Sequence, residues 1–361
     1  MRFPKISLSS IDWVLMGAVG TLISISLITL FSIDKDLFKS QFFFVLLSIS
    51  SFLIITQLNP QILMVYAKPF YLISIFLLLI LFILGSEVRG AVRWIEVFGF
   101  QAQFSEILKP FLAVSFAFLL SDLRNYSYKN FLIIFLLLFP LFLLIFLQPD
   151  LGNSLIYFGT VLFVLLIYGF PFKYFISSLT LLIASFPALW FLLHDYQKER
   201  VLTFIDPSRD PLGTSYNAIQ AVIAVGSGMF MGKGLGEGTQ SHLRFLPENH
   251  TDFIFASLSE QLGFIGGIIV VAAFIVILYR LYIFFKSSDD PFSKNFSLIV
   301  LSLIFIHFFV NIGMNLGIIP VVGITLPFVS YGGSSLLSNF VMLGFLFVVL
   351  QKEKSEVLEI R

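Results

Sequence analysis

Long apolar runs, interrupted by short clusters of charge, proline and glycine, set the pattern of this chain. A helix of roughly 20 apolar residues is needed to cross the ~30 Å hydrocarbon core of a bilayer. Ten runs of that order occur, near residues 11–32, 41–58, 68–85, 103–121, 130–148, 152–169, 173–193, 252–284, 295–317 and 332–351. The predicted fold is therefore all-α, a polytopic membrane protein with about ten transmembrane helices in a single domain, residues 1–361. Only Gln148-Pro-Asp-Leu-Gly152 separates the fifth run from the sixth, whereas residues 194–251 form one large loop between the seventh and eighth. No internal repeat is visible, which weighs slightly against transporter folds built from duplicated halves.

Composition removes several function classes. With 58% hydrophobic and 12% charged residues the chain is no soluble globular domain. The absence of Cys excludes disulfides, thiolate catalysis and Cys-based metal sites. Any metal would have to be held by carboxylates, His or substrate phosphates. The formal net charge of +1 gives no pointer to nucleic acid. Arg2 and Lys5 before the first run suggest a signal peptide, but the run is too long and lacks a small-residue cleavage site. It reads as the first span. Placing the N-terminus inside puts most Lys and Arg of the short loops in the cytoplasm, and leaves only Lys35, Lys39, Arg89 and Arg93 in short outer loops. Both termini are then cytoplasmic, and the 194–251 loop, Trp94, Asp150 and Asp252 lie outside, away from cytoplasmic nucleotides.

Polar residues within apolar surroundings mark the candidate chemistry. Phe245–Gly263 carries Glu248, His250, Asp252 and Glu260 into the start of an apolar helix. Ionisable side chains there are costly and persist where they face a cavity, a partner charge or a substrate. Asp252 reads either as a helix-start residue stabilised by the macrodipole, with Asn249 or Thr251 as cap, or as a catalytic carboxylate. Glu260 lies about 12 Å deeper along the helix and reads as supporting. His250 has no settled role. Glu106 and Lys109, at i and i+3, can neutralise each other as a structural pair or meet a substrate.

The segment around Arg93 and Trp94 offers a cation and either a membrane-belt aromatic or a sugar platform. The loop opening at Tyr196 adds Lys198, Arg200 and Arg209, permanently charged groups suited to a pyrophosphate where they are guanidinium. Gly226–Gly238 is glycine-rich, but Ser227 and Gly234 break the phosphate-loop spacing, so it reads as a loop of tight turns. Gly317–Ser335 is apolar yet broken by Pro320, Gly323, Pro327, Gly332 and Gly333. Non-helical backbone at membrane depth must be buried or line a cavity, so this segment reads as re-entrant or lid-like, with Ser330, Tyr331 and Ser334 as polar contacts.

Taken together, several of these segments resemble the SEDS family (shape, elongation, division and sporulation). The matching residues are Gly90-Ala-Val-Arg-Trp-Ile95, Ser105-Glu106 with Lys109, Gln148-Pro-Asp-Leu-Gly152, Asp206-Pro207, Asp210-Pro-Leu-Gly213, Gly232-Lys-Gly234, Gly238-Thr-Gln240, Phe245-Leu-Pro-Glu-Asn-His-Thr-Asp-Phe-Ile-Phe255 and Leu326-Pro-Phe-Val-Ser-Tyr-Gly-Gly-Ser-Ser335. The Gly-Thr-Gln turn and Pro320-Val-Val-Gly323 look like the elongation branch more than the division branch. One departure is Phe104, where the family often has Pro.

The resemblance implies a peptidoglycan glycosyltransferase of the bacterial cytoplasmic membrane that polymerises lipid II at the outer face for elongation and shape. Implied partners are lipid II, undecaprenyl-pyrophosphate-linked glycan, a class B penicillin-binding protein as transpeptidase and other elongation-complex membrane proteins. The family's essential aspartate falls on Asp252, as general base. Arg93, Trp94, Glu106, Lys109, Arg200, Arg209, His250 and Ser330 are the candidate substrate contacts, with Glu260 and Asp150 in support. No nucleotide is expected; the metal is unknown, with a divalent cation such as magnesium or manganese left open. A lipid II flippase and a non-catalytic scaffold are the alternatives.

Overall fold

The computed structural model describes residues 11–84, 86–88, 91–97, 100–123, 125–192, 198–199, 202–204, 206, 210, 215–243 and 245–359. The helices are α1 (Trp13–Ile33), α2 (Lys35–Ile55), α3 (Pro60–Leu84), α4 (Phe104–Ile107), α5 (Lys109–Ser121), α6 (Tyr128–Leu147), α7 (Leu151–Tyr168), α8 (Phe172–Leu192), α9 (Tyr216–Ser227), α10 (Thr239–His242), α11 (Ile254–Ser287), α12 (Pro291–Asn315) and α13 (Gly333–Glu359). Eight of these are long and apolar enough to cross a membrane, and α5 and the first part of α8 are shorter apolar helices. The all-α polytopic architecture expected from the ten runs is what forms.

Three local results differ from the expectation. Residues before the fourth span form a small antiparallel meander, β1 (Ser86–Val88), β2 (Ala91–Val97) and β3 (Phe100–Gln103), in the order β1-β2-β3. With β3 and the one-turn α4 occupying residues 100–107, only Lys109–Ser121 remains of the expected 103–121 helix. Asp34 alone joins α1 to α2: its backbone N–H closes α1 on Leu30, and its carboxylate caps α2 at Asp36 N, 2.8 Å away. Lys35 and Lys39 are therefore helical. The third span, expected from residue 68, begins eight residues earlier at Pro60, a residue pre-set for a helix start, which leaves Lys68 inside α3.

Packing sorts the helices. α2 and α3 turn residues such as Ile54, Leu72 and Phe76 outward, as a lipid-facing helix does, while α12 and α13 are enclosed along most of their length. One apolar core runs through α1, α5, α7, α11, α12 and α13. Buried Glu106, Lys109, Asp150, His307, Asn311 and Asn315 lie toward one end, where α5, α7, α11, α12 and the non-helical segment 316–332 meet, while Ser293 and Asn295 are buried near the other end of α12.

Candidate active site

The 34-residue α11 is two helices joined at Gly263, whose φ of 68° and ψ of −164° fall in a region open essentially to glycine alone. Such a break strips backbone groups of their partners at membrane depth, where each unpaired group is costly. The glycine-rich loop supplies replacements. Lys233 N and Gly234 N donate to Glu260 O and Gln261 O at 3.0 and 3.1 Å, and Phe264 N and Ile265 N donate to Met229 O and Phe230 O at 2.9 and 3.4 Å. Residues 229–234 thus clasp the break.

Glu260 completes the clasp. Its buried carboxylate accepts from Lys233 Nζ (3.0 Å), Thr239 Oγ1 (3.2 Å), Gln240 N, Ser241 N and Ser241 Oγ (2.9 Å each). Every donor comes from the loop, so Glu260 fixes α10 and the lead-in to Asp252.

Asp252 stands two residues before α11, half-buried. Its backbone carbonyl accepts two side-chain amides, Asn311 Nδ2 at 3.0 Å and Asn315 Nδ2 at 3.1 Å, and Asn311 Nδ2 also donates to Ile324 O at 2.7 Å. The Asp252 carboxylate faces Gly323, where a Cβ would sit 3.2 Å from Oδ2 and where φ is +71°. The strap formed by 321–332 is bound to the Asp252 turn again by Ser330 Oγ donating to Thr251 O (2.7 Å) and Tyr331 N to His250 O (2.9 Å). The His250 ring meets Tyr331 edge-on and its Nδ1 lies 3.1 Å from Asn249 Oδ1. From outside, Gln41 of α2 holds both ends of the strap's last turn, through Ser330 O and Gly332 N, each at 3.2 Å.

A second polar group lies on the other side of the strap. Lys109 Nζ donates to Glu106 Oε1 (2.7 Å) and contacts His307 Nε2 (2.8 Å). An ammonium only donates, so Nε2 accepts and Nδ1 donates to Thr325 O at 3.1 Å. Ser338 Oγ closes on Glu106 O. Next to it Asp150 caps α7 and accepts from Gln103, Ser105 and Asn153. Both carboxylates and the ammonium are buried, and the geometry of Glu106 and Lys109 is that of a pair pinning helices and strap.

Trp94 is half-buried in β2, opposite Gln103. The Arg93 side chain, Arg200 and Arg209 lie outside the described residues. Among the described residues no three His, Asp or Glu side chains group as a metal would need. A cavity of about 380 Å³ with mainly apolar walls opens between α9 and residues 316–321, beside the strap. Sequence reasoning missed Gln41, His307, Asn311 and Asn315. The last three stand at i, i+4 and i+8 on α12, one face of a helix, and that spacing was the available signal.

The FtsW/RodA/SpoVE family model, described as cell cycle protein, matches residues 7–355. Peptidoglycan glycosyltransferase MrdB of Escherichia coli K12 is 41% identical over 294 residues, covering 81% of this chain and 79% of that protein. Stage V sporulation protein E of Bacillus subtilis is 36% identical over 79% of this chain and 78% of its own. A structure described as the structural coordination of polymerization and crosslinking by a peptidoglycan synthase complex superposes with a TM-score of 0.82 at 28% identity, over 94% of this chain and 98% of that one. The rod shape determining protein RodA of Thermus thermophilus shares the fold at a TM-score of 0.72 and 24% identity, over 94% and 97%.

Proposed function

The chain belongs to the FtsW/RodA/SpoVE family of cell cycle proteins, the SEDS family, and on that premise we propose that it extends glycan strands from lipid II with Asp252 as general base. It is a multi-pass membrane protein and a peptidoglycan glycosyltransferase, the activity named for its 41% identical relative. The growing glycan on undecaprenyl pyrophosphate is the donor. The 4-hydroxyl of the GlcNAc of a fresh lipid II is the acceptor. Asp252 takes the hydroxyl proton as oxygen attacks the anomeric carbon of the donor MurNAc and the C–O bond to pyrophosphate breaks. One displacement inverts the α-linked donor to a β-1,4 linkage and needs a base but no carboxylate nucleophile.

The observation that carries this reading is the placement of Asp252: a half-buried carboxylate whose main chain is held by two buried amides and whose side chain is backed by Gly323. A base must sit within hydrogen-bond reach of its proton, and a carboxylate on a pinned main chain suits that demand. The departing pyrophosphate needs cations. With Lys109 committed to Glu106 and His307, that task falls to Arg93, Arg200 and Arg209. The apolar cavity beside the strap suits a polyprenyl chain. Both termini lie in the cytoplasm and Asp252 faces outward, and the polymerase works beside a class B penicillin-binding protein, the pairing of polymerisation and crosslinking named for its structural relative.

The test is polymerisation of labelled lipid II by the purified chain and its transpeptidase partner. Asp252→Asn and Asp252→Ala should lower kcat by about 10²- to 10⁴-fold with the fold intact. Polymer formed by Asp252→Ala at the native rate would show the mechanism to be wrong. Lipid II translocation in sealed vesicles by a chain that makes no polymer would favour a flippase instead.

A further inference from the structure

α12 is an enclosed membrane helix, yet it carries two carboxamides, Asn311 and Asn315, with no exposed surface. Amides buried at such depth are costly unless their groups are paired. Here they are paired with each other and with two segments that are not part of α12. Asn315 works as a cap supplied from another helix: its Oδ1 accepts from Ala256 N while its Nδ2 reaches Asp252 O and the Asn311 carbonyl, at 3.1 and 2.8 Å. Asn311 Oδ1 in turn accepts from Asn315 Nδ2 at 3.3 Å, and Ala256 N, one of the amides a helix start leaves without an intrahelical acceptor, donates to Asn315 Oδ1 at 3.0 Å. Asn311 Nδ2 divides its two protons between Asp252 O and Ile324 O.

We propose that Asn311 and Asn315 are positioning residues for Asp252, setting the distance between its carboxylate and the strap. The inference rests on Asp252 as the base. With both lone pairs of the Asp252 carbonyl engaged, the peptide plane following its Cα is fixed, and the side chain keeps only its own torsions. Ile324, the other carbonyl on Asn311, directly follows Gly323, the residue that backs Oδ2. One amide therefore ties together the two surfaces between which the carboxylate lies. Loss of that tie moves the base relative to its substrate without removing it, and displacements of the order of 1 Å cost about 10²-fold in rate.

The experiment measures kcat and KM per folded molecule for lipid II polymerisation by the full chain with its transpeptidase, for Asn311→Ala, Asn315→Ala, Asn295→Ala and Asp252→Asn. Asn295 is a buried amide near the opposite end of α12, and its replacement controls for loss of a carboxamide from this helix. The expected result is a fall in kcat of about 10- to 100-fold for Asn311→Ala, a smaller fall for Asn315→Ala, KM within about twofold, and native kcat for Asn295→Ala. An Asn311→Ala variant that keeps native kcat and loses only thermal stability would overturn the proposal. If Asn311→Ala does not fold, Asn315→Ala decides by the same criterion, since Asn311 still holds the Asp252 carbonyl. Native kcat in Asp252→Asn would refute the base itself, whereas an inactive Asp252→Asn beside native Asn311→Ala and Asn315→Ala would refute only the positioning role.

Discussion

Replacing Glu260 by Ala removes the acceptor at the centre of the clasp. The buried carboxylate receives Lys233 Nζ, Thr239 Oγ1, Gln240 N, Ser241 N and Ser241 Oγ. The Lys233 side chain is 28% exposed and can rehydrate, and Thr239 is exposed, so neither adds much to the loss. Two backbone N–H groups and the buried Ser241 hydroxyl cannot all do so. At about 1–3 kcal/mol for each buried donor left unmade, reduced by water that fills part of the vacated space, the local loss is about 3–4 kcal/mol. One tenfold step corresponds to about 1.4 kcal/mol, so amide hydrogen exchange over residues 233–242 should quicken by about 10²- to 10³-fold. Lys233→Met keeps the carboxylate and its backbone donors; it should cost about 1 kcal/mol, under a tenfold change. Exchange at the wild-type rate in Glu260→Ala, or equal acceleration in both variants, would refute the view that the carboxylate organises this loop.

Two further outcomes follow from the strap. Gly323→Ala forces a side chain onto a left-handed residue, at about 1–2 kcal/mol, and sets its Cβ against Asp252 Oδ2; polymerisation should fall in kcat while Tm drops by only a few degrees. Lys109→Met leaves Glu106 as a buried carboxylate without its counter-charge, at about 3–5 kcal/mol, and should lower Tm strongly, whereas Lys109→Met combined with Glu106→Gln should recover most of that loss. A double variant no more stable than Lys109→Met in a thermal melt would contradict the pairing.

The spans were legible because hydrocarbon thickness demands long apolar runs, and the strap because Pro320, Gly323 and Pro327 forbid a helix through an apolar stretch. The meander at 86–103 was not: its strands hold three to seven residues, too few for a period-2 pattern to stand out beside the helices. Gly263 lies between the polar turn Ser259-Glu260-Gln261 and a long apolar run, and one glycine there is compatible with a continuous helix; the backbone angles and the approach of residues 229–234 reveal the break. Asp252 stood out as charge at a helix mouth, but its supports did not. Gln41 reaches the strap across 289 and 291 residues of sequence, a contact that no local pattern encodes. Asn311 and Asn315 were readable as a polar face on α12, though the groups they serve come from two other segments.

The break at Gly263 has a mechanical consequence for an enzyme embedded in a membrane. Beyond it, residues 264–287 form a rod about 36 Å long, at 1.5 Å per residue, set in a hydrocarbon layer of about 30 Å. Such a rod meets a thinner or thicker bilayer by changing its tilt. A continuous helix would carry that tilt straight to its N-terminal end and swing Asp252 with it. With the rod ending at a break, Phe264 N and Ile265 N bonded to residues 229 and 230, and the segment before the break tied to the strap and loop, tilt passes into the loop rather than straight along the helix. The loop thereby stands between bilayer thickness and the geometry at Asp252.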